Sequence, residues 1–151
     1  MPRSAVANPR LGDTHGSARH EAGAPTIAAL AADALTVPAL RAKPEALDSL
    51  AGEGGYSDAE IFALVVPKRT LARRKARGEA LTIEETDKAL RLARVAMTAR
   101  RVFGDDMKAH RWLRQHKRSL ANQTPLAFLA SENGARLVED MLHRIEHGIF
   151  V

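Results

Sequence analysis

Two tetrapeptides do most to restrict what this chain can fold into. Ser57-Asp-Ala-Glu60 and Thr82-Ile-Glu-Glu85 both have capping-box spacing. In that motif a hydroxyl accepts from a first-turn backbone N–H, and a glutamate three residues on reaches back to the cap residue. Each box therefore marks the start of a helix. Ile61, Phe62 and Val65 follow the first box as one apolar face, and Val66-Pro67 ends that short helix. Pro67 suits the first turn of the next helix, roughly 67–77, and Gly78 suits its end. The second box opens a long helical pattern to about Phe103. Leu90, Ala93 and Met97 lie on one face of it, and Leu92, Ala96, Ala99 and Phe103 on another. Two apolar faces predict a central or domain-linking helix packed on both sides. No segment reads convincingly as a strand, and the predicted fold class is all-α.

The remaining punctuation is also helical. Residues 1–24 are rich in Gly, Pro, Ser, Arg and His without an apolar period, and read as a flexible tail. Residues 26–40 form an Ala-rich helix ending near Val37-Pro38, and 43–50 a short one with Ala46, Leu47 and Leu50 on one side. Gly52, Gly54 and Gly55 make a turn. Asp105 caps a helix through Trp112 and Leu113, with Trp112 in the core and His110 and His116 on the surface. Thr124-Pro125 starts a short helix through Leu129, and Asn133-Gly134 marks a break. A last helix carries Leu137, Val138, Met141, Leu142 and Ile145, and stops at Gly148.

Charge localises the function. Over 151 residues, 23 Lys and Arg stand against 18 Asp and Glu, net +5. Residues 67–118 hold 16 basic and 6 acidic residues, net +10, flanked by net −3 before and net −2 after. The helix at 67–77 carries Lys68, Arg69, Arg73, Arg74, Lys75 and Arg77, no acid, and Leu71 as its main apolar anchor. Two short helices joined by a tight turn, the second basic, form a helix-turn-helix pattern. Its second helix enters the major groove, where the arginine fork matches guanine and flanking cations neutralise phosphates. Lys68, Arg69, Thr70, Arg73, Arg74 and Arg77 are the expected DNA-binding residues. Charge reversal at Arg73 and Arg74 is expected to abolish operator binding and leave the fold intact.

Enzymatic chemistry finds little footing. The absence of cysteine excludes disulfides, thiolate metal sites and a cysteine nucleophile. Gly52-Glu-Gly-Gly55 lacks the Gly-Lys-Ser/Thr end of a phosphate loop, and no serine sits in a nucleophile elbow. His143-Arg-Ile-Glu-His147 has the spacing of an inverted zinc-protease motif, but only Gly148 to Val151 follow and none is a ligand type. No catalytic residue, metal site or cofactor is therefore expected. No stretch reaches the roughly 20 apolar residues of a spanning helix, and the N-terminus lacks the pattern of a signal peptide; a cytoplasmic protein without membrane contact is expected.

A set of further segments carries a resemblance. Pro67-Lys-Arg-Thr-Leu-Ala-Arg-Arg-Lys75 and Leu81 through Val95, then Ala109-His-Arg-Trp-Leu113, Thr124-Pro-Leu126, Gly134 and Arg144-Ile-Glu-His-Gly148, resemble in order and spacing the Xre/ParS/MbcA-type antitoxins. The likeness covers roughly residues 55–151, and residues 1–40 match nothing in it. It implies a helix-turn-helix domain plus a small C-terminal helical toxin-binding domain. It also implies a cognate RES-domain toxin that depletes NAD, operator DNA at the chain's own promoter, and a homodimer. The implied division is a tail at 1–24, a DNA-binding region at 25–103 with its helix-turn-helix at about 57–77, and a toxin-binding domain at 104–151. The last helix and tail would then approach the toxin's pocket, placing Arg144, His147, Gly148, Ile149, Phe150 and Val151 at the interface. Independently of the resemblance, an apolar end after the Gly148 stop suits burial in a core or by a partner. The alternative is a stand-alone helix-turn-helix regulator with an unrelated C-terminal interaction domain.

Overall fold

A computed structural model describes residues 26–36 and 41–149 of the chain. Within them the elements are α1 (Ile27–Thr36), a 3-10 turn (Pro44–Leu47), α2 (Asp48–Gly52), α3 (Asp58–Leu64), α4 (Lys68–Arg77) and α5 (Ile83–Phe103). These are followed by α6 (Asp106–Arg114), a second 3-10 turn (Arg118–Leu120), α7 (Pro125–Phe128) and α8 (Glu132–Glu146). No strand occurs among the described residues, and the one isolated bridge joins Lys117 to Gln123. The fold is all-α. The tail at 1–24, the helix stop at Val37-Pro38, and Phe150 and Val151 lie outside the described residues.

Both capping boxes close in full. Ser57 accepts from the backbone of Glu60, whose carboxylate accepts from the Ser57 N–H; Thr82 and Glu85 repeat the arrangement. Asp105, Thr124 and Ser131 cap α6, α7 and α8 in turn. Each oxygen satisfies a first-turn N–H that has no partner within its own helix.

α5 is the axis. Thr86, Ala89, Leu92, Ala93, Val95, Ala96 and Ala99 are buried along it, and α1, α2, α6 and α8 all pack against it. A single core runs from Ile27 and Leu30, through Leu50, Tyr56, Ile61 and Val66, to Leu113, Leu129, Val138 and Leu142. The buried Tyr56 hydroxyl donates to the Leu92 carbonyl at 2.9 Å. Burial raises its pKa well above the usual phenol range, and the nearby Glu60 charge adds to the shift. The hydroxyl therefore stays a neutral donor that joins the 55–60 segment to α5.

The second half of the chain folds back onto the first through α6. Arg114 reaches Glu60 at 2.6 and 2.9 Å and the Gly55 carbonyl at 3.0 Å. Burial alone would push the Glu60 carboxyl up, but Arg114 and the Ser57 cap hold it below its usual range. His110 lies against Gly55, where a side-chain carbon would sit 1.8 Å from the imidazole. Gly55 also has φ +68°, so glycine is required there twice over. His110 is accordingly half-buried rather than on the surface, while His116 is exposed.

Three further expectations change. Asn133-Gly134 does not break a helix; it forms the first turn of α8, and the break falls one turn earlier at Ser131. Gly134 is needed because a side-chain carbon there would meet the Phe128 carbonyl oxygen at 2.0 Å. Leu137 is 43% exposed and Met97 53% exposed, so neither belongs to the core. The Leu90/Ala93/Met97 face of α5 is thus only half packed, whereas Leu92, Ala96 and Ala99 on the other face are fully buried. Trp112 is half-buried against Phe103, with Lys117 over its ring at 5.1 Å.

Candidate nucleic-acid interface and C-terminal edge

α3 and α4 meet at Val65-Val66-Pro67. Val65 and Val66 are both buried, which pins the turn to the core and projects α4 outward. α4 has ten residues and none is buried. Leu71, half-buried, is its anchor. At about 100° per residue, the side of α4 opposite Leu71 carries Arg69, Arg73 and Ala76, with Ala72 on its flank. All four are exposed, as is Lys68 at the first position. Arg69, Thr70 and Arg73 line a shallow open hollow. The two alanines were not singled out by charge or motif. Their signal is helical arithmetic taken from Leu71: small side chains beside Arg69 and Arg73 permit close approach and can meet a thymine methyl.

The second half of α4 is built differently. The helix itself contains no acid, but its neighbours supply several. Arg74 is 12% exposed and contacts Glu85 at 3.1 Å, Glu79 at 3.7 Å and the Ala80 carbonyl at 3.3 Å. Lys75 pairs with Asp48 at 3.2 Å, and the exposed Arg77 with Glu79 at 3.6 Å. Glu85 thereby serves two ends at once, the cap of α5 and the guanidinium of Arg74. Lys68, Arg69 and Arg73 thus share the outward part of the helix, with Thr70 half-buried beside them and Arg77 at its far end. Arg74 turns inward and holds the turn between α4 and α5. Reversal of its charge would break that turn, so the fold is not indifferent to it.

α8 presents three flanks. Gly134, Ala135, Val138 and Leu142 are buried. On one side Glu132, Glu139 and Glu146 recur at seven-residue spacing. They meet Arg91, Arg94 and Arg101 of α5: Arg91–Glu132 at 3.0 Å, Arg94–Glu132 at 2.9 Å and Arg101–Glu146 at 3.4 Å, with Arg94 also on Glu139. Partners that rise together in number require α8 and α5 to run parallel. Arg91 is the main cause that holds the Glu132 carboxyl below its usual range. Burial lowers the Arg94 pKa, but Glu139 and Glu132 outweigh it and raise the value.

The flank away from these ion pairs carries Leu137, half-buried Met141 and exposed Arg144. Gly148 then takes φ +68° and closes the helix, with the Ile149 N–H donating to the Arg144 carbonyl at 2.8 Å. Ile149 is 57% exposed. The structure therefore places Arg144, His147, Gly148 and Ile149 at one exposed end of α8, and Phe150 and Val151 lie beyond the described residues. Leu137 belongs to the same accessible surface and was read from sequence as core. Periodicity puts it at the margin of the apolar stripe, about 100° from Val138, where only packing decides. His143 and His147 are both exposed, and among the described residues no three His, Asp or Glu side chains come together to hold a metal ion. No described helix is long and apolar enough to cross a membrane.

Comparison with known proteins also divides the chain in two, but the first match begins at residue 21, inside the 1–40 stretch that the resemblance in sequence did not reach. Residues 21–94 match the antitoxin Xre-like helix-turn-helix domain, and residues 98–148 match the antitoxin Xre/MbcA/ParS C-terminal toxin-binding domain. The two matches meet inside α5. An antitoxin Xre of Yersinia enterocolitica is 34% identical over 108 residues, covering 70% of this chain and 73% of the relative. An antitoxin Xre of Pseudomonas putida is 38% identical over 84 residues, covering 56% of this chain. The chain spans about half of that relative, 53% of its length.

Proposed function

The chain belongs to the Xre/MbcA/ParS antitoxin family, and from that premise we propose that it is the antitoxin of a type II toxin–antitoxin pair. It binds a cognate RES-domain toxin that depletes NAD, and it represses its own promoter through α4. It works as a cytoplasmic homodimer and performs no catalysis. Inhibition is steric: the end of α8 and the segment after Gly148 enter the toxin's substrate pocket and occupy it.

The observation that carries this reading is the separation of two accessible surfaces on one helical axis. Lys68, Arg69 and Arg73 face outward on a helix with no buried residue, a surface fit for a polyanion. Leu137, Arg144 and Ile149 are exposed on α8, a mixed apolar and cationic surface fit for a protein. Arg144 offers a planar fork that can hold a carboxylate on the partner through two parallel hydrogen bonds, which fixes orientation as well as contact.

Co-expression of the tagged chain with the product of the adjacent reading frame tests the partner. Recovery of a stoichiometric complex and restored growth are expected. Deletion of Gly148 to Val151 is expected to release toxicity while operator binding in a gel-shift titration stays intact. A truncated chain that still neutralises the toxin would remove the tail from the mechanism.

A further inference from the structure

On α5, Ile83, Leu90 and Met97 recur at seven-residue spacing. Ile83 is 54% exposed, Met97 53% exposed and Leu90 half-buried. At about 1.5 Å per residue this is a stripe about 21 Å long. The described residues leave both of its ends open to solvent. A stripe of period seven is the seam that two helices use to pack on each other. Scattered apolar side chains need no explanation, but a heptad line of them on a helix otherwise heavily engaged does.

The stripe is self-complementary in one orientation. Let a second α5 lie antiparallel, with the two-fold axis passing beside Leu90. Leu90 then meets Leu90 of the second copy, and Ile83 meets Met97 at both ends. The flanking line of the same helix is Asp87 and Arg94, four residues after Ile83 and Leu90. Antiparallel packing brings each such flank against its own counterpart, so Asp87 of one copy faces Arg94 of the other, twice. Asp87 is exposed, and Arg94 keeps 47% of its side-chain surface accessible although Glu132 and Glu139 hold it on one side. A parallel two-fold pair would instead set Asp87 and Arg94 against the partner's opposite flank, the uncharged line of Thr86 and Ala93, and no charge would answer them. Charge and apolar register thus select the same antiparallel arrangement, and a two-fold axis requires this kind of patch.

We propose that the Ile83/Leu90/Met97 face of α5 is the surface through which two copies of this chain pair, antiparallel, about Leu90. The inference rests on the homodimer in the proposed function and names the residues that form it. It also sets the two α4 helices on either side of one dyad, as a palindromic operator requires.

Sedimentation velocity on the full chain tests it at micromolar concentration. The wild type is expected at twice 16.4 kDa. Ile83→Lys and Met97→Glu, each alone, are expected to sediment as monomers. Each affects both ends of the dimer, so about tenfold lost per end compounds to about a hundredfold in the dissociation constant. Circular dichroism melts check that both variants fold. Mixing the two variants is expected to restore a dimer. At one end the introduced lysine of the first variant then faces the introduced glutamate of the second, while Met97 and Ile83 still meet at the other end. A wild type that is monomeric overturns the dimer itself. Variants that stay dimeric leave the dimer standing and overturn this surface. A lower melting temperature at unchanged mass assigns the stripe to another part of the same chain and also overturns the proposal. Failure of the mixture to re-form a dimer overturns the antiparallel register.

Discussion

α4 and α8 are both exposed helices, and they are held in opposite ways. α4 buries none of its ten residues and is fixed by one half-buried leucine and by ion pairs at its C-terminal half. α8 buries four residues along a continuous stripe and adds a row of ion pairs to α5. The outer side of α4 therefore adds little to stability and is free for the recognition proposed for it. The accessible flank of α8 is continuous with side chains that keep the helix in place, so changes there affect stability together with the binding proposed for it. Under the proposed function, the contrast follows from what each surface would meet. A polyanion is bound by charges that remain hydrated until contact, whereas a protein pocket is filled by apolar groups that already have a packed base.

The largest expected effect lies on α4. Arg69→Glu with Arg73→Glu should weaken operator binding at least about a thousandfold and lower the slope of log affinity against log salt by about 2. Thermal melts of the double variant should overlay the wild type, and a marked fall in melting temperature would break the contrast. Next comes the base of α8. Gly134→Val should cost about 3 kcal/mol in urea unfolding, because its side chain meets the Phe128 carbonyl, a backbone atom that cannot step aside. A neutral result would mean that α7 and α8 are not closely joined.

Arg74 sharpens the contrast within α4 itself. Arg74→Ala should cost about 2 kcal/mol, since it leaves Glu85 beside Thr82 without its counter-charge. Arg73→Ala, one residue away, should change stability by less than about 0.5 kcal/mol and weaken DNA binding. If both variants lose DNA affinity alike at unchanged melting temperature, the inward assignment of Arg74 is wrong.

The smallest effect is acid sensitivity. Glu60 and Glu132 both have pKa values lowered in the folded chain. Their contribution is present above the unfolded carboxylate value of about 4 and disappears as pH falls through the lower folded value. Thermal melts should show stability declining below about pH 4. Glu60→Gln should be less stable at neutral pH and decline less steeply in acid. Equal slopes for variant and wild type would remove the Arg114–Glu60 pair from the account.

Much of this was legible in the residues. Capping boxes, Pro67 and Gly78 place α3, α4 and the start of α5 because the signals are local: a cap oxygen reaches a backbone N–H three residues away. Two apolar faces on residues 83–103 correctly predicted a central helix, although one of them, Leu90/Ala93/Met97, is only half covered. What escaped depends on neighbours. Arg74 looked like the other cations because Glu85, eleven residues on, becomes its partner only when the chain turns at Gly78. Gly134 looked like a helix stop because glycine usually is one; its actual reason is the approach of α7, which no spacing reveals. Leu137 shares the period of the core and lies just outside it.

The continuity of α5 has one more consequence. It holds 21 residues without proline or glycine, and the boundary between the two family matches falls within it. There is no linker at which the two halves could be separated. A protease cutting between Ile83 and Phe103 would leave the buried faces of both halves exposed, so neither would survive as a folded fragment. Under the proposed function, breakdown of the chain would remove promoter occupancy and toxin blockade in one event, and the two would share a single lifetime.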